Sequence, residues 1–319
     1  MEKTNKKQTF MEGVLTLFVA QLIIKILGLL YRLVLTNVDG FGDEGNGLYG
    51  AGYQIYTLLL AIASLGVPSA ISKLVSERIA VGKNKEAHDV FKVALFLFGG
   101  IGLAGSLGLF FGAHLIATYF IGNPNVTGVM RALSPAVFFV SISAVIRGYF
   151  NGMYNMKASS RSQMLEQLFK SSFTIILVLV VHALATTNPS QIASLLHISE
   201  ENVTMKMAIA ANFASTLATI CSFMYLFAFY QWRKKGIHQD IEKATGEYHK
   251  YSVPYLVKVI LAFSIPISLA SVVSAINRNI DTFTVMRGLK ALLTAKDFGT
   301  AEAITRRSNE ALWYFIREN

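Results

Sequence analysis

The sequence predicts an all-α integral membrane protein with about seven transmembrane helices and a cytoplasmic N-terminus. Three observations predict it. Hydrophobic residues fill 53% of the 319 positions and charged residues only 15%, against about 25% charged in soluble domains. Apolar runs long enough to cross a hydrocarbon core of about 30 Å, which takes about 20 helical residues, occur seven times. Lysine and arginine gather between alternate runs, the positive-inside pattern of multispanning chains.

In chain order the spans are Met11 to Leu35, Tyr49 to Ile71, Val93 to Ile121, Val129 to Phe150, Leu168 to Thr187, Met207 to Trp232 and Pro254 to Met286. The first follows Lys3, Lys6 and Lys7, as in a signal peptide. Its apolar stretch exceeds the usual 7 to 15 residues of such a peptide and no small-residue cleavage site follows, so it is read as retained. Gly66 and Pro68 weaken the second span near its inner end, either as a hinge or as a passive kink. The seventh span is long enough to bend, and Pro266, without a backbone N–H, is a hinge candidate within it.

With the N-terminus inside, the inner segments hold 18 Lys and Arg and the outer loops only Arg131 and Lys206. Arg147 and Lys170 are counted among the inner 18, at the inner ends of their spans. The net charge of +10 is therefore read as topology, with no nucleic-acid partner. The organisation is a cytoplasmic segment at 1–10, six helices at 11–232, a basic cytoplasmic linker at 233–253, a seventh helix at 254–290 and a tail at 291–319. That tail, with Arg306, Arg307, Glu310 and Trp313, reads either as an amphipathic surface helix or as an altered reading frame at a truncation.

Several motifs carry no chemistry. Gly100, Gly102 and Gly105 spell GxGxxG, but no strand precedes them and no acidic residue follows about 20 positions on, so they are read as close helix packing. Cys221 is the single cysteine, which leaves no disulfide or cysteine-based zinc site within one chain. No His, Asp or Glu cluster has metal-ligand or acid–base spacing, so no catalytic residue, metal or cofactor is expected.

Charges at membrane depth are the informative residues, because a lysine or arginine there is costly and faces a cavity, a partner or the interface. Lys25 and Arg32 lie seven residues apart, about 10 Å along one helix face. Either they line a cavity or they snorkel to the membrane surface. Arg278 and Asp281, three apart in the seventh span, form either a structural ion pair or a ligand-facing arginine with a tuning carboxylate. Glu166 stands at the edge of the fifth span.

Five stretches then resemble a known family: Lys25 to Arg32 (KILGLLYR), Ser64 to Lys73 (SLGVPSAISK), Arg131 to Pro135 (RALSP), Arg147 to Gly152 (RGYFNG) and Asn277 to Asp281 (NRNID). The similarity runs from about residue 10 to about residue 295. It is to the oligosaccharide flippase branch of the multidrug/oligosaccharidyl-lipid/polysaccharide exporter superfamily, nearest to the stage V sporulation protein B group and the lipid II flippases of Gram-positive bacteria. The resemblance implies two six-helix lobes facing each other around a central cavity, which rock to carry a lipid-linked sugar across the membrane. It implies further that Lys25, Arg32 and Arg278, with Lys73 as a looser match, receive a pyrophosphate headgroup. Members have about 12 to 14 spans, whereas this chain offers the N-terminal lobe and one further helix.

The expectation is thus a multi-pass protein of the bacterial cell membrane. It would act as a truncated or half-length flippase of a polyprenyl-diphosphate-linked precursor, without catalysis. Its partners would be the lipid-linked oligosaccharide, membrane lipids, and either a second copy or a missing C-terminal lobe. Two alternatives stay open: a cation-coupled multidrug exporter of the same superfamily, which calls for acidic residues in the lobe, and a non-transporting cell-wall assembly partner. A membrane-embedded transferase would need acidic metal-binding pairs, and the sequence shows none.

Overall fold

A computed structural model of the chain describes residues 10–63, 66–186, 202–244, 246–295 and 310, with some side chains of the last helix left out. Among the described residues the regular elements are helical: α1 Phe10–Thr36, α2 Gly42–Ala63, α3 Val67–Ala80, α4 Asn84–Leu115, α5 Val126–Gly152, α6 Met156–Thr186, α7 Val203–Glu242 and α8 Val253–Ala295. Five of them, α1 and α4 to α7, are long and apolar enough to cross a membrane.

Local chemistry fixes the ends. Glu12 opens α1, and Asp43 with Glu44 opens α2, acids that complement the partial positive charge of a helix N-terminus. This start lies about two turns before the expected Tyr49. A π-helical segment, Ile116–Ile121, continues α4 and stops at Gly122, whose left-handed φ of 77° lets its N–H bond back to Ala117. Inside α5, Pro135 cannot donate to the Arg131 carbonyl. The Ser134 hydroxyl donates to that carbonyl instead, at 2.8 Å, so the helix continues.

The second expected span is two helices. α2 ends at Ala63 and α3 begins at Val67, with Pro68 in its first turn, where it needs no N–H partner. The break is also where α8 docks. The Gly66 N–H donates to Ser268 Oγ at 3.1 Å, and a Cβ on Gly66 would run into Ser268 and the Ser264 carbonyl. Of the expected hinge residues, Gly66 makes this contact, while Pro266 is exposed between Ser264 and Ser268, on the side of α8 turned away from it. Glycine is needed again at Gly148 and Gly152 of the RGYFNG motif, where an added Cβ would lie 2.9 Å from the Pro68 carbonyl and 2.8 Å from the Ser72 carbonyl. This one-turn spacing on α5 is the seat of α3.

Several other elements exceed their sequence-based limits, two of them by the most. The fifth begins at Met156 instead of Leu168, and α7 continues to Glu242, well past Trp232. Both extensions are polar helix that hydropathy alone assigns to loops. Ser-rich and basic helix is tolerated wherever packing supplies the stability.

The helix α5 is central, packed on α2, α3, α4 and α7, while α6 packs on α7 and carries α1 on its other side. Two apolar cores result. One, around Phe41, Leu48, Met130, Leu133 and Met207, fills the end near the α1–α2 turn. The other, around Ile71, Phe91, Tyr149, Phe150 and Ile260, fills the opposite, lysine-rich end. The glycines of α4 join this packing where they face α5: a Cβ on Gly102 would press on Ser141 at 2.6 Å.

Candidate functional site

Between the two cores, the facing sides of α1, α2, α6 and α7 enclose a cavity of about 440 Å³. Its lining is polar, which is unexpected at this depth. It includes Gln21 of α1, Tyr53 and Tyr56 of α2, Arg147 of α5, Gln163, Glu166, Gln167 and Lys170 of α6, and Ser215 and Thr219 of α7. Lys170 is near the midpoint of the 31-residue α6, so these groups lie deep in the span.

Arg147 is a bracket between three helices. Its Nε donates to Ser162 Oγ at 2.9 Å, and its Nη2 donates to Glu166 Oε2 at 2.6 Å and to Ser222 Oγ at 2.9 Å. Ser222 in turn donates to the Ser162 carbonyl at 3.0 Å. Beside this bracket, Gln21 donates across to Gln163, which fastens α1 to α6.

Lys170 is held differently. Its Nζ lies 4.2 Å from the Tyr53 ring centroid and 5.9 Å from that of Tyr31. Tyr53 stacks on Tyr49 at 5.8 Å, and the Tyr31 and Tyr49 hydroxyls are 3.2 Å apart. Among the described residues no carboxylate pairs with Lys170. The nearest acid along α6, Glu166, is taken by Arg147. A lysine at membrane depth costs roughly 2.5 to 3.5 kcal/mol, and a desolvated cation–π contact returns about 2 kcal/mol at best. Ser215, 5% exposed and on the lining, has a buried hydroxyl with no hydrogen-bond partner among the described residues.

The residues singled out by sequence distribute unevenly. Arg32 lines an adjoining cavity of about 230 Å³ with Tyr31, Tyr49, Gln54 and Tyr53, and Tyr53 borders both spaces. Lys25 is exposed one turn beyond Gln21 on α1. Lys73 stands apart from both: it pairs with Glu77 at 3.9 Å and lies 4.3 Å over the Phe263 ring. Arg278 and Asp281 fall within α8, with side chains outside the described residues. Sequence reasoning missed Arg147 and Lys170 as site residues because both were counted as loop charges. Glu166, placed at a span edge by hydropathy, lines the cavity. The available signal was the polar spacing Gln163, Gln167, Lys170, Thr174, a helical stripe that continues into the apolar run.

Residues 10–306 match the family model described as polysaccharide biosynthesis protein. The chain belongs to that family. Stage V sporulation protein B of Bacillus subtilis (strain 168) is 32% identical over 170 residues, which are 53% of this chain and 32% of that protein. Lipid II flippase MurJ of the same organism is 28% identical over 173 residues, 52% of this chain and 31% of that protein. The chain thus spans about a third of the length of the curated relatives it matches. Among solved structures, a MOP superfamily transporter from Pyrococcus furiosus superposes with a TM-score of 0.61 at 17% identity, over 98% of this chain and 66% of that one. An outward-facing multidrug resistance MATE family transporter gives 0.59 at 17% identity, over 98% and 66%. The fold is that of this transporter superfamily, and the chain is a multi-pass protein of the bacterial cell membrane.

Proposed function

We propose that this chain moves a polyprenyl-diphosphate-linked cell-wall or polysaccharide precursor, of the lipid II type, across the membrane by alternating access, without chemical catalysis. The observation that carries the reading is Lys170, a cation near the middle of α6 in a tyrosine-walled cavity, with no carboxylate paired to it among the described residues. A diphosphate bears about two negative charges and accepts from lysine, arginine and hydroxyl donors, which strengthen one another where water is scarce. Arg32 in the adjoining cavity, and Lys25 on the same face of α1, extend the positive path. Arg278 and Asp281 of α8 remain substrate-binding candidates by the family resemblance.

The family and the relatives named as flippase and sporulation protein support the class of substrate. The cation-coupled exporter reading has less to stand on, since Glu166 is already bound to Arg147. Alternating access needs a second lobe to move against this one. In this reading residues 11–232 are one lobe and α8 begins the next.

The test is reconstitution with a fluorescent lipid-linked precursor, using the chain alone and together with a complementary lobe, and with Lys170→Gln in each. The expected result is flipping only when two lobes are present, with at least a tenfold loss in the variant. Robust flipping by a demonstrably monomeric chain, or by Lys170→Gln, contradicts the proposal.

A further inference from the structure

The groove contains two deep cations of unequal availability, and Glu166 makes them unequal. It stands one turn before Lys170 on α6, lines the same cavity, and gives its Oε2 to Arg147 Nη2 at 2.6 Å. Its side chain keeps 27% of its exposure while that of Arg147 keeps 12%, so the carboxylate is the more accessible half of the pair. Arg147 is not exhausted by these bonds. A guanidinium has five donors in a planar fork, and the three hydrogen bonds use only Nε and Nη2. Nη1 makes no hydrogen bond among the described residues, on a residue that lines the cavity. With Glu166 ionised, Arg147, Lys170 and Glu166 sum to one positive charge.

We propose that Glu166 is the groove's built-in counter-anion, holding Arg147 while the groove is empty and yielding part of that guanidinium to an incoming diphosphate, so that it sets both the hold on the anion and its release. The proposal rests on the diphosphate reading of the groove. A diphosphate oxygen engages Arg147 Nη1 and Lys170 first. It then competes with Glu166 for Nη2, and the carboxylate retakes Nη2 as the anion departs. Without such a competitor, two deep cations and a diphosphate would form a tight complex that binds well and releases slowly. A transport site needs the opposite, since a carrier that stabilises its bound state too far stops turning over.

The experiment measures equilibrium binding of two probes, inorganic pyrophosphate and farnesyl diphosphate, to the purified 319-residue chain in detergent. The two probes separate a free anion from a lipid headgroup, since a groove open to the bilayer favours the prenylated one. Glu166→Gln keeps the shape and a hydrogen bond to Arg147 but removes the competing charge. It is expected to bind either probe about tenfold more tightly, the size of one charge-assisted hydrogen bond, and to release it correspondingly more slowly. The double variant Glu166→Gln/Arg147→Gln, which removes the pair as a neutral unit, returns to within about threefold of wild type.

Cooperative melting of each variant establishes folding. Infrared difference spectra provide a readout in the unaltered chain, where pyrophosphate is expected to shift a carboxylate stretch that the double variant lacks. Glu166→Gln that melts cooperatively yet binds no more tightly than wild type overturns the proposal, as does a wild-type carboxylate band that pyrophosphate leaves unmoved. The outcomes separate from those of the groove itself. If Lys170→Gln binds both probes normally, the diphosphate reading falls. If Lys170→Gln binds weakly and Glu166→Gln binds no better, only the role of Glu166 falls.

Discussion

The groove and the junction at the lysine-rich end both set charges against packed helices, yet they complete their bonds in opposite ways. At the junction every group finds its partner within the protein. Glu86, 3% exposed, accepts the His249 N–H at 3.0 Å and pairs with Lys83 at 3.2 Å. Tyr248 donates to Asp89 at 3.0 Å while Lys85 lies 4.0 Å over its ring, and the Gly246 N–H bonds the Gly82 carbonyl at 3.3 Å. These contacts fix the segment between α7 and α8 onto the α3–α4 turn. In the groove, Arg147 and Glu166 neutralise each other, but among the described residues Lys170 is met by tyrosines and no carboxylate. Under the proposed function the contrast separates a structural charge, closed locally, from a charge walled with polarisable groups and held for a ligand.

The largest expected effect that sharpens this contrast is on Arg147. Arg147→Ala removes the bracket between α5, α6 and α7 and leaves the half-buried Glu166 without its counter-charge, at a cost of about 1 to 3 kcal/mol. Thermal unfolding in detergent should show the loss, and Lys170→Ala should show much less, because no partner is orphaned. Equal destabilisation by the two would erase the distinction between bracket and ligand group.

Next comes the contact of the α2–α3 break with α8. Gly66→Ala forces a methyl against Ser268 and the Ser264 carbonyl, an overpacking cost of about 1 to 3 kcal/mol. The expected sign is increased protease cleavage of the segment between α7 and α8 with α1 to α6 intact. Unchanged cleavage would mean that the break does not seat α8.

How much of this was legible in the sequence follows from where each charge lies along its apolar run. The helical class, the membrane setting and the break at Gly66–Pro68 were readable because hydropathy and proline act locally. Lys25 and Arg32 stood out because they interrupt an unbroken apolar run. Lys170 did not, because Ser159, Gln163 and Gln167 precede it and hydropathy assigns such a stretch to a loop. The structure turns those residues inward against α7 and α1. Only tertiary packing makes polar helix stable at that depth, and no single-helix pattern encodes which neighbours arrive. Glu166 was misplaced for the same reason.

A smaller effect is expected at the junction. Glu86→Gln keeps the His249 hydrogen bond and loses the Lys83 charge pair, so a shift of about 1 kcal/mol or less in stability is expected. Smallest of all is Tyr248. Its bond to Asp89 pushes the phenol above its ordinary pKa, so the contact persists below that ordinary value and is lost as pH rises through the raised one. Ultraviolet titration of wild type against Tyr248→Phe should reveal a late-ionising tyrosine that the variant lacks.

The most direct measurement for the groove is equilibrium binding of a polyprenyl-diphosphate-linked sugar to wild type and to Lys170→Gln, with cooperative melting shown for both. A cation reserved for an anionic headgroup predicts at least a tenfold weaker complex in the variant and a smaller loss in high salt, where the charge is screened. Equal affinity in a folded Lys170→Gln protein would contradict it, and would make Lys170 a structural lysine packed among tyrosines.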